Sequence, residues 1–211
     1  MMHALSALTD DLFAPSMLQL VSDAEGGIRY WPHFVDVETA VAWFECLQAN
    51  AAWSTLQRPM YDRVVDVPRL LASYALDEPP AHLPLADMLT HVQAVAPAPY
   101  THAGMNFYRD GRDSVAMHHD KLHSLTAGQP ITLVSLGSTR RMLIRAIGGR
   151  RETLAIDLAP GSLLRMSYAS QLTHEHGIPK TRREQPARIS VAFRVRGAPG
   201  AHASWPMVRD A

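Results

Sequence analysis

The sequence predicts an α+β fold that is mainly β, a cupin-like jelly roll preceded by N-terminal buttressing helices. Three observations carry that prediction. From Met105 onward, short apolar runs recur at regular intervals, punctuated by Asp110-Gly111, Gly137-Ser138, Gly148-Gly149 and Pro160-Gly161. Before Met105, the two clearest periodic segments have the spacing of amphipathic helices. No internal repeat, low-complexity tract or linker divides the 211 residues, and a 47% hydrophobic content over that length supplies a substantial core. A single domain over 1–211 is expected, with about 1–100 as support and about 101–197 as the jelly-roll core.

In chain order, residues 1–30 hold weakly patterned segments with Pro15 and a Gly26-Gly27 turn, and no chemistry is legible there. Asp36 can cap a helix over about 37–49, with Val37, Val41, Phe44 and Leu47 as its apolar stripe. Pro84, at a favoured first-turn position, opens a second helix to about Ala94, burying Leu85, Met88, Leu89 and Val92. Strands are expected near 105–109, 114–118, 131–136, 140–146, 153–158, 162–167, 174–178 and 188–196. Eight short strands suggest a double-sheet jelly roll, an architecture that includes cupins. The tail after Gly197 is rich in Ala and Pro and is expected to be loose.

Composition narrows the function classes. The one cysteine, Cys46, excludes an intramolecular disulfide or a Cys-rich zinc site, and it is expected to be a buried helix residue. No charged-then-apolar leader and no membrane-length apolar run is present, so a cytoplasmic protein with no membrane association is expected. The formal net charge of zero argues against a strongly basic nucleic-acid binder. A local basic surface stays open, because Arg140, Arg141, Arg145, Arg150, Arg151, Lys180, Arg182 and Arg183 all fall in the second half. Solvated strand edges and phosphate contacts explain that cluster equally well.

The chemistry-bearing stretch runs from Asn106 to Asp120. At its end His118 and Asp120 stand two apart after Ser114-Val115-Ala116-Met117, and residues i and i+2 of a strand share a face. His119 points the other way. A metal that keeps positions open for substrates is served by two imidazoles and one carboxylate. The third ligand is sought in Thr173-His174-Glu175-His176-Gly177-Ile178-Pro179, where spacing alone allows His174 or His176. Further on, Arg188 and Arg194 stand six apart on one strand face, and guanidiniums pair bidentately with carboxylates, so the two can hold a dicarboxylate beside the metal.

Asn106-x-Tyr108-x-x-Gly111, His118-x-Asp120, Gly161-Ser-Leu-Leu, His176 before Ile178-Pro179, and Arg188-x5-Arg194 occur in this order. As a set they resemble the AlkB-like Fe(II)/2-oxoglutarate dioxygenases over roughly the last two thirds of the chain. The resemblance implies a double-stranded β-helix with Fe(II) held by His118, Asp120 and His176. It selects His176 over His174, assigns 2-oxoglutarate to Arg188 and Arg194 with hydrogen bonds from Asn106 and Tyr108, and puts Ser190 where many relatives have Asn. It also implies that Gln57–Arg69 carries a nucleotide-recognition lid, with Tyr61 as the aromatic that stacks on an extruded base and Arg58 and Met60 as neighbouring substrate contacts. The implied reaction uses O2 and 2-oxoglutarate to hydroxylate an N-alkyl group of a base, releasing aldehyde, succinate and CO2. The implied partners are single-stranded or duplex DNA, or RNA such as tRNA, carrying alkylated bases, bound by a monomer. One departure bears on substrate: Leu122 occupies the position at which well-known relatives carry a base-recognising acid. The same iron chemistry on a protein or small molecule is therefore an alternative, and a non-catalytic cupin-like module a third.

Overall fold

The computed structural model describes residues 3–5, 16–60, 63–148 and 152–197. The elements run β1 (His3–Leu5), β2 (Leu18–Val21), β3 (Ile28–Trp31), α1 (Val37–Asn50), β4 (Gln57–Met60), β5 (Arg63–Asp66), β6 (Leu70–Ala75), α2 (Leu85–Val95), β7 (His102–Tyr108), β8 (Val115–His118), β9 (Ile131–Gly137), β10 (Arg140–Ala146), β11 (Thr153–Leu158), β12 (Ser162–Met166), α3 (Tyr168–Thr173), β13 (His174–Ile178) and β14 (Arg188–Arg194). Every strand expected from Met105 onward is present.

Two sheets form the body. One has the order β1-β11-β10-β13-β8 and the other β2-β3-β12-β9-β14-β7-β6, while β4 and β5 form a separate hairpin. All pairings are antiparallel except β1 with β11. The period-2 rule sorts β14, at the centre of the larger sheet, into two faces. Ile189, Val191 and Phe193 join Trp43, Leu47, Leu85, Met88 and Val92 in a core beneath the helices. Arg188, Ser190, Ala192 and Arg194 alternate with them, and Ala192 packs with Met142, Ile144, Ile156 and Ile178 in the core between the sheets. The inter-sheet face of β14 thus interrupts an apolar layer with two guanidiniums and a hydroxyl. No helix among the described residues is long and apolar enough to cross a membrane.

Three expectations are corrected. α1 is capped by Asp36, whose Oδ1 accepts from the Thr39 N–H at 2.7 Å, but its inward face is Ala40, Trp43 and Leu47. Val37 and Val41 point outward at 79% and 47% exposure. The larger Trp43 fixes the rotation: its indole N–H donates to Asp87 of α2 at 2.9 Å, and a ring buries more surface than either valine. Cys46 is helical but only half-buried, its Sγ lying 3.3 Å from the His82 carbonyl oxygen. Within residues 1–30, read as weakly patterned and given no strand, the chain forms β2 and starts β3 of the larger sheet, with a register shift between Gln19 and Val21 that breaks the alternation.

Candidate metal and cosubstrate site

The site is built where β8 meets β13. The antiparallel register sets His176 directly opposite His118, on the same face, and their ring centroids are 4.6 Å apart. Gly177 permits that approach: a Cβ there would lie 2.9 Å from the Val115 carbonyl oxygen and 3.0 Å from the Met117 nitrogen. Asp120 follows the strand instead of ending it, so the i, i+2 rule does not by itself hold the pair together. Gln171, buried on the short helix α3, supplies the missing restraint, its Oε1 accepting the Asp120 backbone N–H at 3.0 Å. The His118 Nε2 and Asp120 Oδ1 atoms are 3.8 Å apart, and one ligand atom from each of His118, Asp120 and His176 can be chosen so that all lie within 4.8 Å of one another.

Protonation suits the same atoms to a cation. His118 Nδ1 lies 2.9 Å from the Ala116 carbonyl oxygen, which can only accept, so Nδ1 carries a proton and Nε2 is the nitrogen turned towards Asp120. Burial, then repulsion from His118, pushes the His176 imidazole down to about 4, which keeps it neutral. Burial alone would raise the Asp120 carboxyl, but the charge and hydrogen bond of Arg194, followed by His176 and His118, hold it down to about 2. The Arg194 Nε donates to Asp120 Oδ2 at 2.6 Å, leaving Oδ1 on the His118 side. A neutral His176 imidazole, an ionised Asp120 carboxylate and the half-exposed His118 imidazole form a donor set that fits Fe(II) with positions left open.

Two residues of β14 carry buried donors without partners. Arg188 is 0% exposed; its Nε donates to Ser135 Oγ at 3.0 Å, but Nη1 and Nη2 have no hydrogen-bond partner. The Ser190 hydroxyl, two residues on and equally buried, is also unpartnered. Leaving such donors unpaired in an apolar layer is costly, and a bound carboxylate removes the cost. The β14–β7 register puts Arg188 opposite Tyr108 and Ser190 opposite Asn106. The Arg188 guanidinium sits 5.1 Å from the Tyr108 ring centroid, and that of Arg140 sits 5.5 Å from it. Gly104 makes room for the second arginine, since a Cβ there would lie 2.9 Å from Arg194 Nη1.

The structure therefore brings together His118, Asp120, His176, Arg188, Ser190, Arg194, Asn106 and Tyr108. Asn106 has a partner the sequence did not disclose: its Oδ1 accepts from Arg69 Nε at 2.6 Å, and Arg69 also donates to the Ser114 carbonyl at 3.1 Å. His119 is exposed, and His174 lies beside the Thr173 hydroxyl at 2.9 Å, outside the triad. Leu122 is half-buried in a 3-10 turn, Leu122–Ser124. Arg58 and Met60 lie on β4, and Tyr61 lies outside the described residues. Sequence reasoning missed Gln171 and Gly104, for which only the fold supplies a signal.

Residues 27–194 match the family model described as the 2OG-Fe(II) oxygenase superfamily. The chain belongs to that superfamily. Within the 2OG-Fe(II) oxygenases its relatives are AlkB-like. It is 29% identical over 194 residues to the rat alpha-ketoglutarate-dependent dioxygenase alkB homolog 3, covering 81% of this chain and 66% of the rat protein. It is 31% identical over 97 residues to the bovine DNA oxidative demethylase ALKBH2, covering 43% of this chain and 35% of that one. The chain thus spans just under two thirds of the first relative and about a third of the second. The solved structure of OsALKBH1 shares the fold, with a TM-score of 0.59 at 17% identity over 81% of this chain and 97% of that one.

Proposed function

We propose that this oxygenase uses Fe(II), 2-oxoglutarate and O2 to dealkylate alkylated nucleobases in DNA or RNA. The observation that carries the reading is a metal-competent triad bonded to Arg194 of β14, a strand whose other end carries a buried arginine with unpaired terminal donors. His118, Asp120 and His176 would hold the metal. Arg188 and the Ser190 hydroxyl, with Tyr108 flanking, would take the distal carboxylate of 2-oxoglutarate, and Arg194 the end nearer the metal. Iron held there would supply the oxidation of an N-alkyl carbon and of 2-oxoglutarate by O2, the products being aldehyde, the dealkylated base, succinate and CO2. The protein's share is orientation and exclusion of water, for which the apolar inter-sheet core is suited. The two sheets are read as a double-stranded β-helix of one catalytic unit, and the β4–β5 hairpin, with Arg58, Met60 and Tyr61, as the lid over the base. The naming of the relatives for DNA demethylation and alkB homology supports the substrate class.

His118→Ala and Asp120→Ala are expected to abolish substrate-dependent succinate formation while keeping the far-UV circular dichroism of the parent. Undiminished turnover in either variant would contradict the ligand assignment. A second reading, the same chemistry on a protein or small molecule, is favoured by Leu122 at the position of the base-recognising acid; competition by single-stranded DNA or RNA separates the two.

A further inference from the structure

The three metal ligands are not held alike. His118 and His176 face each other across the β8–β13 pair, and β13 is fixed from its other side by β10, where Ile144 stands opposite His176. Asp120 lies past the end of β8, outside any strand, and its backbone N–H depends on Gln171. Gln171 depends in turn on α3. That helix has six residues, and a helix so short is not stable on its own hydrogen bonds.

Its N-terminal end is clamped by the turn between β2 and β3, 144 residues earlier in the chain. Ser167, the buried N-cap, accepts the Ser170 N–H at 2.9 Å and donates its hydroxyl proton to Asp23 Oδ2 at 2.5 Å. The Ser167 N–H donates to the Gly27 carbonyl at 3.0 Å, and Glu25 Oε2 accepts the Ala169 N–H at 2.8 Å. Asp23 also shapes the turn that does this. Its Oδ1 accepts the N–H groups of Glu25 and Gly27 at 2.8 and 2.7 Å. Gly27 has φ 67°, and a Cβ there would lie 1.8 Å from the Val21 carbonyl oxygen, so the turn requires glycine. Burial would raise the Asp23 carboxyl, but hydrogen bonds from Ser167, Gly27 and Glu25 hold it below the ordinary range, which makes its oxygens charged acceptors.

We propose that Asp23 is a positioning residue for the metal centre: through Ser167 and α3 it fixes Gln171, and through Gln171 it sets where Asp120 stands. This role presupposes the metal assignment of His118, Asp120 and His176 and is the same for either class of substrate. The route runs from Asp23 Oδ2 to the Ser167 hydroxyl, along α3 to the Gln171 amide, and on to the Asp120 N–H. The other end of that amide meets the Met166 sulfur at 3.6 Å, a weak acceptor, so the backbone of α3 decides where Gln171 sits.

The test is Co(II) titration of the full chain, read in the visible d–d bands, with each variant first shown by circular dichroism to be folded at the assay temperature. Asp23→Ala is expected to weaken Co(II) binding about tenfold, the low end for partners outside the ligand shell, and to shift the bands. Asp23→Asn keeps an acceptor for the turn and a polar contact for Ser167, and should recover most of that loss. Glu25→Ala removes one exposed bond to α3 and should give a smaller loss of the same kind. Asp36→Ala removes the cap of α1, which packs on the face of the larger sheet turned away from the site, so it should lower the melting temperature and leave Co(II) affinity and bands unchanged. The double variant Asp23→Ala, Gln171→Met should bind Co(II) no more weakly than Gln171→Met alone, because both changes cut one route. Parent-like affinity and bands in Asp23→Ala would overturn the proposal, and so would losses that add in the double variant. His176→Ala tests the metal assignment apart from Asp23: it abolishes the bands if that assignment holds, whatever Asp23→Ala does.

Discussion

Arg188 illustrates how one residue can be wrong for stability and right for function. Its buried guanidinium has two unpaired nitrogens, so replacing it by an apolar side chain of similar length relieves an uncompensated charge. Arg188→Met is expected to melt at the same temperature as the parent or higher without 2-oxoglutarate, and to lose the stabilisation that 2-oxoglutarate gives the parent in the presence of metal. A lower unliganded melting temperature in calorimetry would show that Arg188 is satisfied in the free protein. Gln171 works the other way, through a ligand it does not share. Gln171→Met keeps the volume but strands the buried Asp120 N–H, and metal affinity is expected to fall about 10–100-fold, as for other outer-shell partners. A Co(II) titration with unchanged affinity would contradict that role. His118, Asp120, Arg188 and Arg194 were legible because catalytic chemistry restricts residue type and spacing. Gln171 and Gly104 were not, because a glutamine on a one-and-a-half-turn helix or a glycine in a strand acquires meaning only from what the fold sets against it.

Among the elements, the β8–β13 pairing decides whether a metal site exists. A side chain at position 177 would push the Val115–Met117 backbone away, and His118 with it. Gly177→Val is expected to cost about 1–3 kcal/mol of stability and to abolish metal binding while the remaining pairings of the smaller sheet persist. Retained stoichiometric Fe(II) binding would show that β8 can shift without separating the imidazoles. The strands from β7 to β12 could be read because turns rich in Gly, Asp and Pro separate them. β2 and β3 could not, since each has four residues and a bulge interrupts the pattern. The face of α1 was misread for a related reason: a stripe of valines and a face containing Trp43 are both consistent with helical periodicity, and only contact with α2 and the larger sheet chooses between them.

At the scale of the whole molecule, Arg140 joins parts that are distant in sequence. It leaves the smaller sheet, stands beside the Tyr108 ring of the larger one and holds the carbonyls of Asp110, Asp113 and Pro179. Arg140→Met strands three acceptors at once and is expected to destabilise the fold by about 2–4 kcal/mol, read as a lower urea midpoint; an unchanged midpoint would mean that water replaces the guanidinium without penalty. Through the apolar inter-sheet layer runs a line of polar groups, from Arg188 past Ser190 to Arg194, Asp120 and the paired imidazoles. That line is where a dicarboxylate and a metal would complete the packing. The measurement that tests this most directly is anaerobic loading with Fe(II) and 2-oxoglutarate, followed by air in the presence of methylated single-stranded DNA, methylated duplex DNA or alkylated tRNA. The account predicts succinate and aldehyde in equal amounts, together with the repaired base, from at least one of the three polymers. Binding of 2-oxoglutarate with no polymer-dependent aldehyde from any of them would contradict it.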